Sequence, residues 1–160
     1  MATFITANAL EILSDLIAFG ANNALKNAWN PAAQQRQTQL IMGAGAAKAV
    51  LERHPGIDAL LASAIEALKL GRDQPYGFVA ARSANGQLVG SFQSKQHWRD
   101  PSTVELIAFS TKVLNAYLEQ HPDISVAIAY PGIGLGGLKE RDVQPILATL
   151  PDRVTVCKLR

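Results

Sequence analysis

A single cysteine, Cys157, stands among the 160 residues, which excludes an internal disulfide and a cysteine-built metal site. It sits in the last apolar run and is expected to act as a small buried hydrophobe. Charge is also scarce. The formal net charge is +2 and the Lys and Arg residues are scattered, so no basic stripe demands a nucleic-acid partner. No apolar run reaches the length of a membrane span, and MATFITANALEIL lacks the basic region and long apolar core of a signal peptide. The expectation is a cytoplasmic protein without a membrane partner. Hydrophobic residues make up 48% of the chain, enough to exclude global disorder and to give one domain, 1–160, a core without staples.

The most informative stretch is Ile124–Leu138, ISVAIAYPGIGLGGL. Its apolar, β-branched start predicts a strand buried on both faces, which stops at Tyr130-Pro131. Gly132, Gly134, Gly136 and Gly137 then free the backbone to curl around a ligand. Successive main-chain N–H groups in such a loop form a concave anion site, so the stretch reads as a phosphate-binding loop at the carboxyl end of a strand. A glycine-rich turn without a ligand is the plainer alternative. On the ligand reading, Gly136→Val is expected to block binding and leave the fold largely intact.

Elsewhere, strand-like and helix-like segments alternate, which favours α/β layering. Thr3–Thr6 and Leu16–Ala21 are strand candidates, and the polar Asn22–Leu40 segment reads as a long loop. Helices are expected over Ala46–Arg53 and from Ile57 to Gly71, where apolar residues recur at helical spacing. Tyr76–Arg82 and Gln87–Phe92 read as strands joined by a turn with an Asn-Gly signal at Asn85-Gly86. A capping box of Ser102 and Glu105 opens a helix that ends at His121-Pro122. Another helix is expected near Arg141–Leu150, with Pro145 tolerable only in or near its first turn, and Arg153–Leu159 is a closing strand. The sum is a three-layer α/β/α domain with a central mixed sheet of about six strands.

Gly132–Gly137 partly matches a dinucleotide fingerprint, but that motif opens the first βαβ unit of a long sheet. Here the loop lies late in the chain, which argues against a dehydrogenase, and no Walker A pattern is present. A second glycine element, Met42-Gly43-Ala44-Gly45, precedes the Ala46–Arg53 helix. Two such turns feeding helix N-termini suit the two phosphates of a pyrophosphate.

These residues together resemble the macro domain family, whose members bind ADP-ribose, and most closely its DarG-like ADP-ribosyl glycohydrolase branch with related phage and bacterial proteins. Asn22 fits an asparagine after the second strand, MGAGAAKAV a glycine turn and helix, SFQSKQHWRDPS the branch's Lys-x-His-Trp-Arg segment, and PGIGLGGL its glycine loop. The resemblance implies a macro-domain fold with an ADP-ribose site at the carboxyl ends of the strands. Met42, Gly43, Ala44 and Gly45 would meet the phosphate and distal ribose side. Gly132, Ile133, Gly134, Leu135, Gly136 and Gly137 would wrap the pyrophosphate, and Asn22 would hydrogen-bond the distal ribose. Asn8 matches a position where many relatives use an aspartate for the adenine amine. An amide carbonyl accepts that bond less strongly than a carboxylate.

Lys95 matches the branch's catalytic lysine, which acts at the anomeric carbon of the distal ribose. An amine attacks that carbon only when unprotonated. Judged without the resemblance, Lys95 is a solvated surface lysine and Trp98 a packing residue. The sequence departs from the family at Phe19, at Lys139-Glu140 and in the length of Asn22–Leu40. The implied activity is hydrolysis that removes ADP-ribose from a DNA base or protein, or cleaves an ADP-ribose derivative, with no cofactor and no metal. A non-catalytic ADP-ribose-binding module and an interaction protein are the alternatives.

Overall fold

A computed structural model describes residues 1–31, 33–71 and 73–159. Strands β1 (Thr3–Thr6) and β2 (Leu16–Ala21) are followed by β3 (Leu25–Asn30) and β4 (Gln35–Leu40). Helices α1 (Gly45–Arg53) and α2 (Ile57–Ala67) come next, then β5 (Phe78–Arg82) and β6 (Leu88–Gln93). The chain closes with α3 (Val104–Gln120), β7 (Val126–Ala129), α4 (Glu140–Leu147) and β8 (Val154–Lys158). The main sheet has six strands in the order β1-β8-β7-β2-β6-β5. All neighbours run parallel except β5 and β6, which form the hairpin that Asn85-Gly86 predicts.

Alternation along the buried strands sorts side chains into two cores, one on each face. Leu16 and Ala18 of β2 pack with Ile107, Leu114, Val143 and Leu147 of α3 and α4. Phe19 and Ala21 of the same strand face Val50, Ile57, Leu61 and Ile65 of α1 and α2. Three layers result, as the segment order implies. The chain leaves β2 toward α1 and α2, but leaves β6 and β7 toward α3 and α4. A crevice therefore opens at the carboxyl ends of β2 and its neighbours, the place where open α/β sheets bind ligands.

The Asn22–Leu40 segment corrects its reading as a loop, because most of it is the antiparallel pair β3–β4, with Leu25 opposite Leu40. Gln, Asn and Arg are weak strand formers, and neither strand alternates in burial, so no local pattern betrays the pair. Leu40 is buried with α2 residues, which anchors an otherwise polar hairpin. Two helix starts differ as well. Thr103, not Ser102, caps α3, its Oγ1 accepting the Leu106 N–H at 3.2 Å. Pro145 lies in the second turn of α4. Both Pro145 and Arg141 are exposed there, so the carbonyl freed by the missing N–H is open to water.

A buried polar cluster fixes the carboxyl ends of β2 and β6. Gln93, fully buried, accepts the Tyr76 and Gly77 N–H groups at 2.8 and 3.0 Å and donates to Gln96 Oε1 at 3.0 Å. Ser110 Oγ donates to the Gln93 carbonyl at 2.6 Å. The Tyr76 hydroxyl donates to the Asn22 carbonyl and meets Ser91 Oγ, both at 2.7 Å. Burial pushes the Tyr76 phenol well above its ordinary value, against a smaller opposing effect of the Ser91 bond. A raised folded value means that the unfolded chain loses its phenolic proton first, so stability present below about pH 10 declines above it. Tyr76→Phe is expected to cost about 1–3 kcal/mol at neutral pH, because a buried acceptor loses its donor. It should also flatten the alkaline decline. Urea midpoints measured from neutral to alkaline pH check both, and an unchanged alkaline slope would overturn the assignment.

Candidate functional site

The two glycine elements meet over the crevice. A Cβ placed on Gly45 would lie 3.8 Å from Leu135 Cδ1, so the tip of the Gly132–Gly137 loop reaches across to the Met42–Gly45 turn. Beside the Gly45 turn and the carboxyl ends of the strands lies a cleft of about 150 Å³, lined by Asn8, Phe19, Gly45, Val50, Ala129, Cys157 and Leu159 among others; the Gly132–Gly137 loop stands outside this lining. A hollow of about 200 Å³ elsewhere lies between β1, β8 and α4. It contains neither glycine turn and is edged by the Lys158–Glu140 ion pair.

Each turn has local reasons for its shape. Gly132 and Gly137 adopt φ of 84° and 79°, a left-handed conformation that side chains disfavour. Gly136 is required by space instead. A Cβ there would lie 2.6 Å from the Gly132 carbonyl oxygen, which itself accepts the Leu138 N–H at 2.9 Å. Valine at Gly136 would therefore deform the loop before any ligand arrives, which corrects the expectation that Gly136→Val spares the structure. Gly134 and Leu135 are exposed, and Ile133 packs against the core.

At the first turn Gly43, Ala44 and Gly45 are exposed, while the Met42 side chain is buried in the core. Only the Met42 main chain is left to face the crevice. Ala44 supplies no capping side chain and the first turn of α1 has no acidic residue. Its leading N–H groups are thus free of a side-chain acceptor, which suits an anion. The start of α4 differs, because Glu140 and Asp142 already place negative charge in its first turn.

Asn8 lines the cleft and Asn22 does not, and both are partly engaged. Asn22 is 8% exposed, its Oδ1 accepts the Ala24 N–H at 2.7 Å and its amide donates to the Ile41 carbonyl at 3.2 Å. One of its two amide hydrogens remains. Asn8 Oδ1 accepts the Leu10 N–H at 3.0 Å, capping the 3-10 turn Ala9–Glu11. An oxygen has a second lone pair, so Oδ1 keeps the capacity to accept one more hydrogen bond. Phe19, one of the departures from the family pattern, is fully buried and forms part of the cleft wall.

Lys95 follows β6 by two residues. The Ser94 and Lys95 N–H groups donate to the Ala21 carbonyl at 2.8 and 3.3 Å, and the Asn23 N–H donates to the Gln96 carbonyl at 2.9 Å. This extension of the ladder sets Lys95 beside Asn22. Ser94 Oγ and Pro131 Cα stand 3.2 and 3.4 Å from a Cβ built on Gly20, so the Lys95 segment and the start of the glycine loop converge on β2. Lys95 is half-buried, and among the described residues its ammonium forms no ion pair. Beyond it the extended chain ends in a turn, the Asp100 N–H donating to the His97 carbonyl at 2.9 Å. His97 and Arg99 therefore do not continue an alternating strand with Lys95. Arg99 lies 4.7 Å from the Trp98 ring centre, a cation–π contact in place of a salt bridge.

Cys157, 2% exposed, forms part of the cleft wall, and burial raises its thiol above the ordinary value. It acts as the apolar residue its sequence position predicts. Among the described residues no cluster of His, Cys, Asp and Glu suits a metal ion, and no helix is long and apolar enough to cross a membrane. The cleft walls Ala129, Cys157 and Leu159 were not legible as site residues. They come from β7 and from β8 with the residue after it, neighbours only in the folded sheet.

The architecture so defined is the macrodomain fold. No protein-family model and no curated protein sequence matches the chain. Among solved structures it is similar to the macrodomain of Mycobacterium tuberculosis DarG, with a TM-score of 0.72 at 22% identity over 99% of this chain and 97% of that one. The macrodomain of Thermus aquaticus DarG gives 0.69 at 21% identity over 100% and 98% of the two chains. Thermosipho africanus DarTG, solved in complex with ADP-ribose, gives 0.68 at 19% identity over 91% of this chain and 38% of that one.

Proposed function

We propose that this chain binds ADP-ribose in the crevice and hydrolyses its bond to a modified target or to a small acylated group. The observation that carries the reading is the approach of Leu135 to Gly45, which brings the two glycine turns together at the edge of the crevice. One turn precedes a helix whose first N–H groups lack a capping side chain, and such N–H groups favour phosphate. In this reading Gly132–Gly137 wrap the pyrophosphate, and Gly43, Ala44 and Gly45 with the Met42 main chain face the phosphate and distal ribose. Asn8 contacts adenine and Asn22 the distal ribose. Lys95 supplies the unprotonated amine that attacks the anomeric carbon as the bond to the target breaks and the target leaves with a proton; water then displaces the lysine, releasing ADP-ribose and restoring the amine. Its place beside Asn22 and near the start of the glycine loop supports a reacting group over a remote surface lysine.

Titration calorimetry with ADP-ribose and with AMP tests the binding half. ADP-ribose is expected to bind more tightly, since two turns serve two phosphates and Asn8 offers a neutral contact to adenine. Equal affinities would sink the two-turn cradle. Incubation with ADP-ribosylated DNA, ADP-ribosylated protein and acylated ADP-ribose then tests the chemistry. Binding without release from any of them would identify a non-catalytic module.

A further inference from the structure

Ser102 carries a hydroxyl that the folded chain leaves unused. The residue is 4% exposed, and its Oγ has no hydrogen-bond partner among the described residues. Its N–H donates to the Gly136 carbonyl at 3.0 Å, and a Cβ on Gly136 would stand only 2.2 Å from the Oγ. The hydroxyl thus presses on the inner side of the glycine loop. A buried hydroxyl without a partner is costly and asks for an explanation. Capping is not that explanation, because Thr103 caps α3. Nor is filling space, which an apolar side chain of similar size does without a polar penalty.

We propose that Ser102 is a positioning residue for the anion-holding form of the loop. This inference rests on the ADP-ribose reading given above. Two loop N–H groups are spent inside the loop, Gly137 on the Gly134 carbonyl at 3.1 Å and Leu138 on the Gly132 carbonyl at 2.9 Å. A phosphate competes for such N–H groups, and each one it takes releases a carbonyl that must find another donor. Ser102 Oγ is the donor held in reserve, on the same side of Gly136 as the Gly132 carbonyl. Its hydrogen bond forms only with the ligand in place, so its contribution goes to affinity and not to the stability of the free chain.

The test compares wild type, Ser102→Ala and Ser102→Cys by calorimetry with ADP-ribose and by the thermal midpoints of the free proteins. Cysteine keeps a similar volume with a much weaker donor. Both variants are expected to bind at least tenfold more weakly, with midpoints no lower than wild type, since removal of an unpartnered hydroxyl is neutral or stabilising. Affinity within threefold of wild type in both variants would overturn the proposal. So would a loss of affinity matched by a lower midpoint in both, or failure of both to fold, because those mark an ordinary structural role. Wild type that fails to bind ADP-ribose would overturn the functional reading and this inference together. Binding by wild type with unaffected variants would overturn this inference alone.

Discussion

Gly134→Val is expected to weaken ADP-ribose binding at least a hundredfold, or about 2.7 kcal/mol, while the free protein keeps its thermal midpoint. The residue is exposed, its φ is outside the left-handed region, and a Cβ built on it meets nothing within 4 Å. The folded chain therefore has room for the branched side chain that the ligand would have to share. Binding suffers because the valine occupies the space above the loop and stiffens it in one conformation. Calorimetry with ADP-ribose alongside a melting curve separates the two effects. Unchanged affinity would show that Gly132–Gly137 does not hold the phosphates. Gly136, which sequence alone recommends for this substitution, cannot make the distinction, because its Cβ would strike the Gly132 carbonyl whether or not a ligand is bound.

Lys95→Ala is expected to abolish release of ADP-ribose while changing ADP-ribose affinity by less than about tenfold, or ~1.4 kcal/mol. A nucleophile makes its bond in the transition state, so its loss falls on turnover and spares ground-state binding. Lys95→Arg should be inactive too, since a guanidinium remains protonated and does not attack carbon. Because Lys95 lies past the end of β6 and its side chain makes no ion pair among the described residues, truncation removes no structural bond of the ammonium. Single-turnover release from ADP-ribosylated DNA and protein measures the effect. Release at the wild-type rate by the alanine variant would remove the lysine mechanism, and a drop in affinity equal to the drop in rate would recast Lys95 as a binding residue.

Strong local signals made much of the fold legible in the sequence. The fully apolar β2 and β7 runs, the Asn-Gly hairpin and the helical spacing in α2 each express a periodicity or a turn preference that needs no distant partner. The glycine turns were legible for the same reason, since freedom of the backbone belongs to the residue itself. The β3–β4 pair was not, because its Gln, Asn and Arg residues carry little strand preference and are held by cross-strand pairing and by Leu40 against α2. The cap of α3 was misassigned by one residue because both Ser102 and Thr103 fit an N-cap, and only the glycine loop, more than thirty positions later, engages the Ser102 N–H.

What the sequence by itself determined is therefore the layering, the succession of main-sheet strands and helices, and the two glycine turns. Tertiary structure alone decided that Leu135 crosses to Gly45, that Lys95 lies beside Asn22, and that Gly136 is closed to a side chain while Gly134 is open. Propensity and periodicity act over a few residues along the chain. The crevice is made where parallel strands distant in sequence end side by side and their connections leave toward opposite faces, a relation fixed only when the sheet is assembled.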